Sequence, residues 1–251
     1  MQTFITVLIT ILVFGVIIFI HELGHFIAAK LSGITVHEFA LGMGPTIFHF
    51  EKGGTKYALR LFPIGGFVSM EGEDSESEDE GAFCKKPVWK RIIVVVAGAV
   101  MNVLLGFVIL MLLNTFRTGG IPTTVIKQFN GTAPYAVEES GLKVGDKILK
   151  INGRTMFIEQ DIAFSISEDE DKVVDMVVRR DGKKVSLDNV SVGYVTVTNE
   201  SGQSEEKYPF AVDVESKNVL SVLKYTALNT LYVGRIVWLS LIQLLTGKVG
   251  M

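Results

Sequence analysis

The sequence predicts a multi-pass α-helical membrane protein that also carries two β-rich regions, and three observations lead there. Charge is absent in blocks: residues 4–20 and 92–113 contain no Asp, Glu, Lys or Arg, although 20% of the 251 residues are charged. Each block is close to the ~20 residues an α-helix needs to cross the hydrocarbon core of a bilayer. The remaining chain alternates short apolar runs with Gly-Gly, Gly-Pro, Asn-Gly and Asp-Gly pairs, which is how strands and tight turns read. An apolar content of 48% excludes a disordered chain. A formal charge of −3 gives no general pull toward nucleic acid, and no nucleic-acid partner is expected. One cysteine, Cys84, excludes an intrachain disulfide framework.

The first span is expected within residues 1–31, where FITVLITILVFGVIIFI runs directly into HELGHFIAAKL. A signal peptide fits poorly, because Met1-Gln2-Thr3 is not basic and no small-x-small cleavage site follows. A soluble helix is rarely apolar on every face for so long. The second span is residues 92–113, interrupted only by Asn102 and preceded by Lys85, Lys86, Lys90 and Arg91. Basic residues stay on the cytoplasmic side. Residues 32–91 are therefore expected in the cytoplasm, with the amino terminus and the region after Leu113 outside.

Within 32–91, VHEFALGMGPTIFHFEKGGTKYALRLFPIGGFVSM reads as hairpins. EGEDSESEDEG, with seven acidic residues in eleven, reads as a solvated linker. Residues 118–217 have the size of one small domain. They contain the strand TTVIKQF, turns at Gly145-Asp146 and Asn152-Gly153, a short helix EQDIAFSIS, and a hairpin over Asp181-Gly182 between VVDMVVRR and KKVSLD. Residues 218–251 include Val219–Leu245, apolar but broken by Lys224, Asn229 and Arg235 at spacings of five and six. That pattern suits an amphipathic helix lying in the membrane surface better than a clean span.

Chemistry is concentrated in His21-Glu22-Leu23-Gly24-His25. Residues four apart on a helix lie one turn apart on the same face, so the two imidazoles can bind one Zn²⁺. Glu22 points about 100° round from His21, near enough to take a proton from a water whose pKa the zinc has lowered to about 7. Such a motif arises by chance in about one chain in a hundred of this size, and a lone His on an apolar face is usually a satisfied core residue. Three ionisable groups at the end of an otherwise uncharged span are costly and mark function. Zinc suits a pair of imidazoles with an acidic neighbour.

From these residues outward the chain resembles the site-2 protease family of intramembrane zinc metalloproteases, in the bacterial branch that processes anti-sigma factors (M50, the regulator of sigma-E protease type). The matching segments are HELGH, the loop FALGMGPTIFHFEKGGTKYALRLFPIGGFVSMEGED, the second-span motif FCKKPVWKRIIVVVAGAVMN, the glycine-aspartate signature GLKVGDKILKING of a PDZ domain, and LIQLLTGKVG. The resemblance implies a cytoplasmic membrane-associated β-hairpin loop and an extracytoplasmic β-rich PDZ domain over 118–217. It implies zinc on His21 and His25, Glu22 as catalytic base, and Gly98 and Asn102 near the substrate. An interhelical hydrogen bond is the alternative role for Asn102. The implied partners are the bilayer, a membrane-protein substrate (a single-span anti-sigma factor or a signal-peptide remnant) and a peptide ligand of the PDZ domain. The implied location is the bacterial cytoplasmic membrane.

Two departures matter. Gly98 is followed by Ala99 where the family pattern has proline. The family's third zinc ligand, an Asp in a Leu-Asp-Gly segment of a later span, has no counterpart before Met251, so the chain is expected to be an incomplete form with little activity of its own. Leu31 stands where another zinc-protease class has a third His, and His37, Glu38, His49 and Glu51 lie in the hairpin loop. A membrane-tethered PDZ binding module with an inactive metal site is the competing expectation.

Overall fold

The computed structural model describes residues 2–130, 141–198 and 204–247. Residues 131–140 and 199–203 of the expected PDZ domain, and the end of the LIQLLTGKVG segment, lie outside them. The chain divides into two compact units, residues 1–108 and 109–251.

The first unit begins with helix α1, Gln2–Leu31. It is followed by two long antiparallel strands, β1 (Val36–Lys52) and β2 (Thr55–Met70). These form one hairpin rather than several. Both strands bend in the middle, so residues 36–41 pair with residues 56–59 on one side and residues 66–70 on the other. The bends fall at Gly42 (φ 84°) and Gly65 (φ 84°), conformations that a Cβ disfavours. Ala28 and Ala29 of α1 pack with Val36, Phe39 and Val68 of the hairpin into a small core. Phe26, Phe39 and Tyr57 make ring contacts 5.3–6.3 Å apart at its centre. Helix α2 spans Val88–Phe116, four residues earlier than the apolar window predicts. Trp89, Lys90 and Arg91 form its first turn, because charge ends a hydrocarbon span without ending a helix.

In the second unit, β3 (Ile121–Phe129), β4 (Lys147–Ile151), β6 (Val173–Arg180), β7 (Lys183–Ser191) and β10 (Phe210–Glu215) form a sheet in the order β10-β3-β4-β6-β7, with β5 (Arg154–Thr155) paired to β4. Helix α3 is Glu159–Ser167, the bounds read from the sequence. Asp181 (φ 50°) and Gly182 (φ 78°) turn the chain between β6 and β7, as the two positive-φ positions of a type I′ turn require. A separate hairpin joins β8 (Val195–Thr198) to β9 (Ser204–Lys207). Ile126, Ile148, Ile151, Ile166, Val178 and Val190, each at most 1% exposed, form the centre of the core.

Helix α4, Val219–Thr246, closes the unit. Its charged residues and Gln243 are engaged. Arg235 pairs with the fully buried Asp161 of α3 and donates to the Thr155 carbonyl at 2.8 Å. Lys224 meets Glu215 at 3.1 Å, and Gln243 donates to Glu168 at 3.1 Å. Asp161 also accepts from the Phe157 and Ile158 N–H groups at 2.7 and 3.1 Å, so it holds the start of α3 as well. α1, α2 and α4 are each long and apolar enough to cross a membrane.

Candidate metal centre

The site lies in the first unit, where the last turns of α1 pass the hairpin and the first half of α2. Helical spacing brings the His21 and His25 rings together with centroids 4.8 Å apart and their Nε2 atoms 3.2 Å apart. Two nitrogens bound to one tetrahedral zinc at about 2.05 Å stand about 3.3 Å from each other, so the pair has the separation that a zinc requires. Both rings are half-buried.

Three glycines let main chains close around this turn. A Cβ on Gly98 of α2 would stand 2.7 Å from His21 Nε2 and closer still to His25 Nε2; its absence leaves the space in front of both nitrogens. A Cβ on Gly24 would meet the Ala97 carbonyl oxygen of α2 at 2.5 Å. One on Gly66 of β2 would meet Glu22 Cγ at 2.9 Å and the Ala40 carbonyl oxygen at 3.1 Å. Small residues allow this backbone approach between membrane helices.

The outer ring nitrogens are also held. His25 Nδ1 lies 2.7 Å from the Val94 carbonyl oxygen, and His21 Nδ1 lies 3.2 Å from Asn102 Nδ2. Such outer hydrogen bonds orient imidazole ligands and select their tautomer. Asn102, expected near the substrate, is thus placed directly on a histidine ring, and Gly98 is placed against both rings.

Glu22 and His25 face a cavity lined also by Gly66, Met70, Phe83 and Glu73. Glu73, expected in the solvated linker, stands instead on the cavity that Glu22 and His25 face. Partial burial pushes the Glu73 carboxyl above its ordinary range, the Asp74 and Glu22 carboxylates add to the rise, and His25 opposes it. The only sequence hint was position: Glu73 follows the end of β2 by three residues, so the strand that covers Glu22 delivers it. His37 is occupied by Glu71 (2.6 Å) and Glu38 by Arg60 (2.9 Å). Among the described residues no group of three His, Cys, Asp or Glu side chains is placed to hold a metal. The histidine pair therefore fits zinc as two ligands, where a catalytic zinc takes three.

A second cavity, in the other unit, runs between α3 and β10. Glu159, Ile162 and Ala163 line one wall, and Phe210 and Val212 the other. Among the described residues β10 pairs only with β3. Tyr208 closes the groove by donating from its hydroxyl to the Ala163 carbonyl at 3.3 Å.

An HExxH turn with converging imidazoles, a carboxylate on the adjoining cavity and two apolar helices around it defines a metallopeptidase of the membrane-helix class. Comparison with known proteins gives the same class. Peptidase family M50 matches residues 9–251. The chain is 32% identical over 250 residues to a protein of Clostridium acetobutylicum named as a zinc metalloprotease, covering 98% of this chain and 70% of that one. It is 40% identical over 183 residues to another so named from Fusobacterium nucleatum, covering 72% and 54%. It is 30% identical over 324 residues to the regulator of sigma-W protease RasP of Bacillus subtilis, covering 97% and 75%. A structural likeness to the PDZ domain of an SdrC-like protein of Listeria monocytogenes is slight, with a TM-score of 0.23 at 14% identity over 38% of this chain and 90% of that one. The chain belongs to peptidase family M50, the zinc metalloproteases of the site-2 type, and a binding module without an enzyme's ancestry is not favoured.

Proposed function

We propose that His21 and His25 bind the zinc of an intramembrane endopeptidase and that Glu22 is its general base. The observation that carries this is the 3.2 Å separation of the two Nε2 atoms in front of a Gly98 that leaves their approach open. Zinc, when bound, polarises a scissile carbonyl and acidifies water. Glu22 takes the water's proton and returns it to the leaving amine. A catalytic zinc takes a third protein ligand, and among the described residues none stands at this pair. Gly98 keeps the metal space free, and with Asn102 it forms the α2 wall along which substrate lies.

The substrate is an extended stretch of a membrane-spanning segment, for example of a single-span anti-sigma factor. An extended peptide can add as a strand to a sheet edge, and β2 residues 66–70 form an outer ribbon of the hairpin beside Glu22. Met43, Ile47, Phe48, Phe62 and Ile64 of the hairpin are exposed, which suits insertion into lipid. Lys85, Lys86, Lys90 and Arg91 at the start of α2 support a hairpin on the cytoplasmic side of the bacterial cytoplasmic membrane. The second unit is then extracytoplasmic. It is read as a PDZ domain whose peptide ligand would lie between α3 and β10. α4 lies along it as a surface helix, because its polar residues meet partners of that unit from Lys224 to Gln243.

The test is zinc content and cleavage together. The full chain in lipid nanodiscs is expected to bind zinc and to lose it on His21→Ala. The whole enzyme is expected to cleave a labelled single-span substrate and to stop on Glu22→Gln. Zinc retained by the His21→Ala variant would refute the assignment.

A further inference from the structure

Glu73 reaches the cavity on a braced turn, although its sequence reads as part of a solvated run. The Glu71 N–H donates to the Thr35 carbonyl at 2.9 Å, the Phe83 N–H to the Glu71 carbonyl at 2.7 Å, and the Cys84 N–H to the Gly72 carbonyl at 3.2 Å. The Glu71 carboxylate is held from two sides, by His37 and by Ser77. Gly72 turns the chain at φ 65°, and a Cβ there would stand 2.8 Å from Ala82 Cβ and 3.0 Å from Cys84 Sγ. The two residues before Glu73 are thus fixed by main chain and packing. An acid that only solvates a charge run needs no such bracing.

Its surroundings offer it no basic side chain. Glu22, His25 and Glu73 line the cavity with Gly66 and apolar side chains, without a lysine or arginine. The charged groups that act on Glu73 are Asp74 and Glu22, both acidic, and His25. The nearby lysines are used elsewhere: Lys85 on Glu78 at 3.4 Å, Lys86 on the Glu80 carbonyl at 2.9 Å and Lys90 on the Ser32 carbonyl at 3.3 Å. Among the described residues no lysine or arginine pairs with Glu73. An apolar-walled cleft lined by acids concentrates its field on whatever enters it. A compact cavity of about 330 Å³ is roughly 8–9 Å across, two or three residues of extended chain at about 3.3 Å each. A peptide whose scissile bond lies at Glu22 therefore brings a side chain to Glu73 two or three residues away.

We propose that Glu73 is a specificity-determining residue that selects substrates with a lysine or arginine on the cytoplasmic flank of the scissile bond. This rests on the reading of the cavity as the place of cleavage and of the hairpin as cytoplasmic. Cytoplasmic flanks of membrane-spanning segments are rich in lysine and arginine, and Glu73 stands where the hairpin passes into the acidic run of residues 71–80. Backbone pairing with a strand is tolerant of side chains, so a charge at the end of that strand supplies register and discrimination that pairing lacks.

The test compares charge preference. The whole enzyme in lipid nanodiscs receives a labelled single-span substrate in three forms, with Lys, Gln or Glu two or three residues from the scissile bond on the cytoplasmic side. The parent is expected to favour Lys over Gln in kcat/KM by roughly 3–5-fold, the upper range for a water-exposed ion pair, and to disfavour Glu. Glu73→Gln is expected to level the three forms, and Glu73→Lys to invert their order. Titrated by fluorescence anisotropy onto the Glu22→Gln enzyme, the same three peptides are expected to keep the parent order in Kd without turnover. Moving the Lys to the extracytoplasmic flank is expected to abolish the preference, and added salt to shrink it. A parent without preference, or a preference that survives Glu73→Gln, would overturn the proposal. Failure of the cleavage reading looks different: no form is cut, or the Glu22→Gln enzyme still cuts, while the anisotropy order still decides for or against Glu73.

Discussion

α1 and α4 are nearly equal helices, of 30 and 28 residues, and each is an apolar run broken by a few polar side chains. Their outcomes differ because of spacing. In α1 the two histidines are four residues apart and turn toward one point, with Glu22 on the cavity beside them. In α4 the polar residues Lys224, Asn229, Arg235 and Gln243 are five, six and eight apart, and each meets a different partner: Glu215, Asn114, Asp161 and Glu168. Convergent spacing makes a site, and staggered spacing makes a docking stripe. The same number of polar interruptions in a hydrophobic helix carries no meaning until its period is read.

The comparison can be broken at its buried ion pair. Asp161→Ala removes the partner of Arg235 and the cap of α3 together. Unpairing a buried charge costs about 3–5 kcal/mol, and chemical denaturation of the second unit should show that loss while zinc binding by the first unit is unchanged. Gly98→Ala should act on the other side. Its methyl fills the space before the imidazoles, and zinc affinity is expected to fall by more than the ~10–100-fold typical of losing an outer hydrogen bond, with the helical circular dichroism intact. Between these in kind but smaller in size is Gly182→Val, which forces a branched residue into φ 78° at a cost of about 1–2 kcal/mol, read as a lower melting temperature of the second unit.

The smallest effect is one of pH. The hydrogen bond from Ser77 at 2.5 Å, together with His37, holds the Glu71 carboxyl below its ordinary range. A carboxyl with a lowered folded pKa contributes stability above its unfolded value of about 4.3 and loses it as pH falls through the folded value. Hydrogen exchange at the base of the hairpin should therefore quicken in acid below that range, and Glu71→Gln should remove the dependence.

Much of the architecture was legible because it is local. Helical period fixed the histidine pair, turn chemistry fixed Asp181-Gly182 and Asn152-Gly153, and α3 came out at the predicted residues. What the sequence hid was non-local. The doubled-back path of β1 and β2 depends on which ribbon lies beside which, and Gly-Gly and Gly-Pro pairs mark bends without naming partners. Glu73 looked like one acid in a solvated run, since only the covering of Glu22 by β2 distinguishes it from Glu76 or Glu78. The resemblance puts Asn102 near the substrate or in an interhelical hydrogen bond, and its contact with His21, 81 residues away in the chain, is beyond the reach of local periodicity. The start of α2 was set four residues late because hydropathy measures the hydrocarbon, not the helix.

The contact between Gly24 and the Ala97 carbonyl has a mechanical consequence. The gap between α1 and α2 at the metal turn is gauged by peptide groups, which are far stiffer than side chains. Exchange of lipid-facing residues on either helix leaves that gauge in place, because the two backbones and not the exchanged side chains set the spacing.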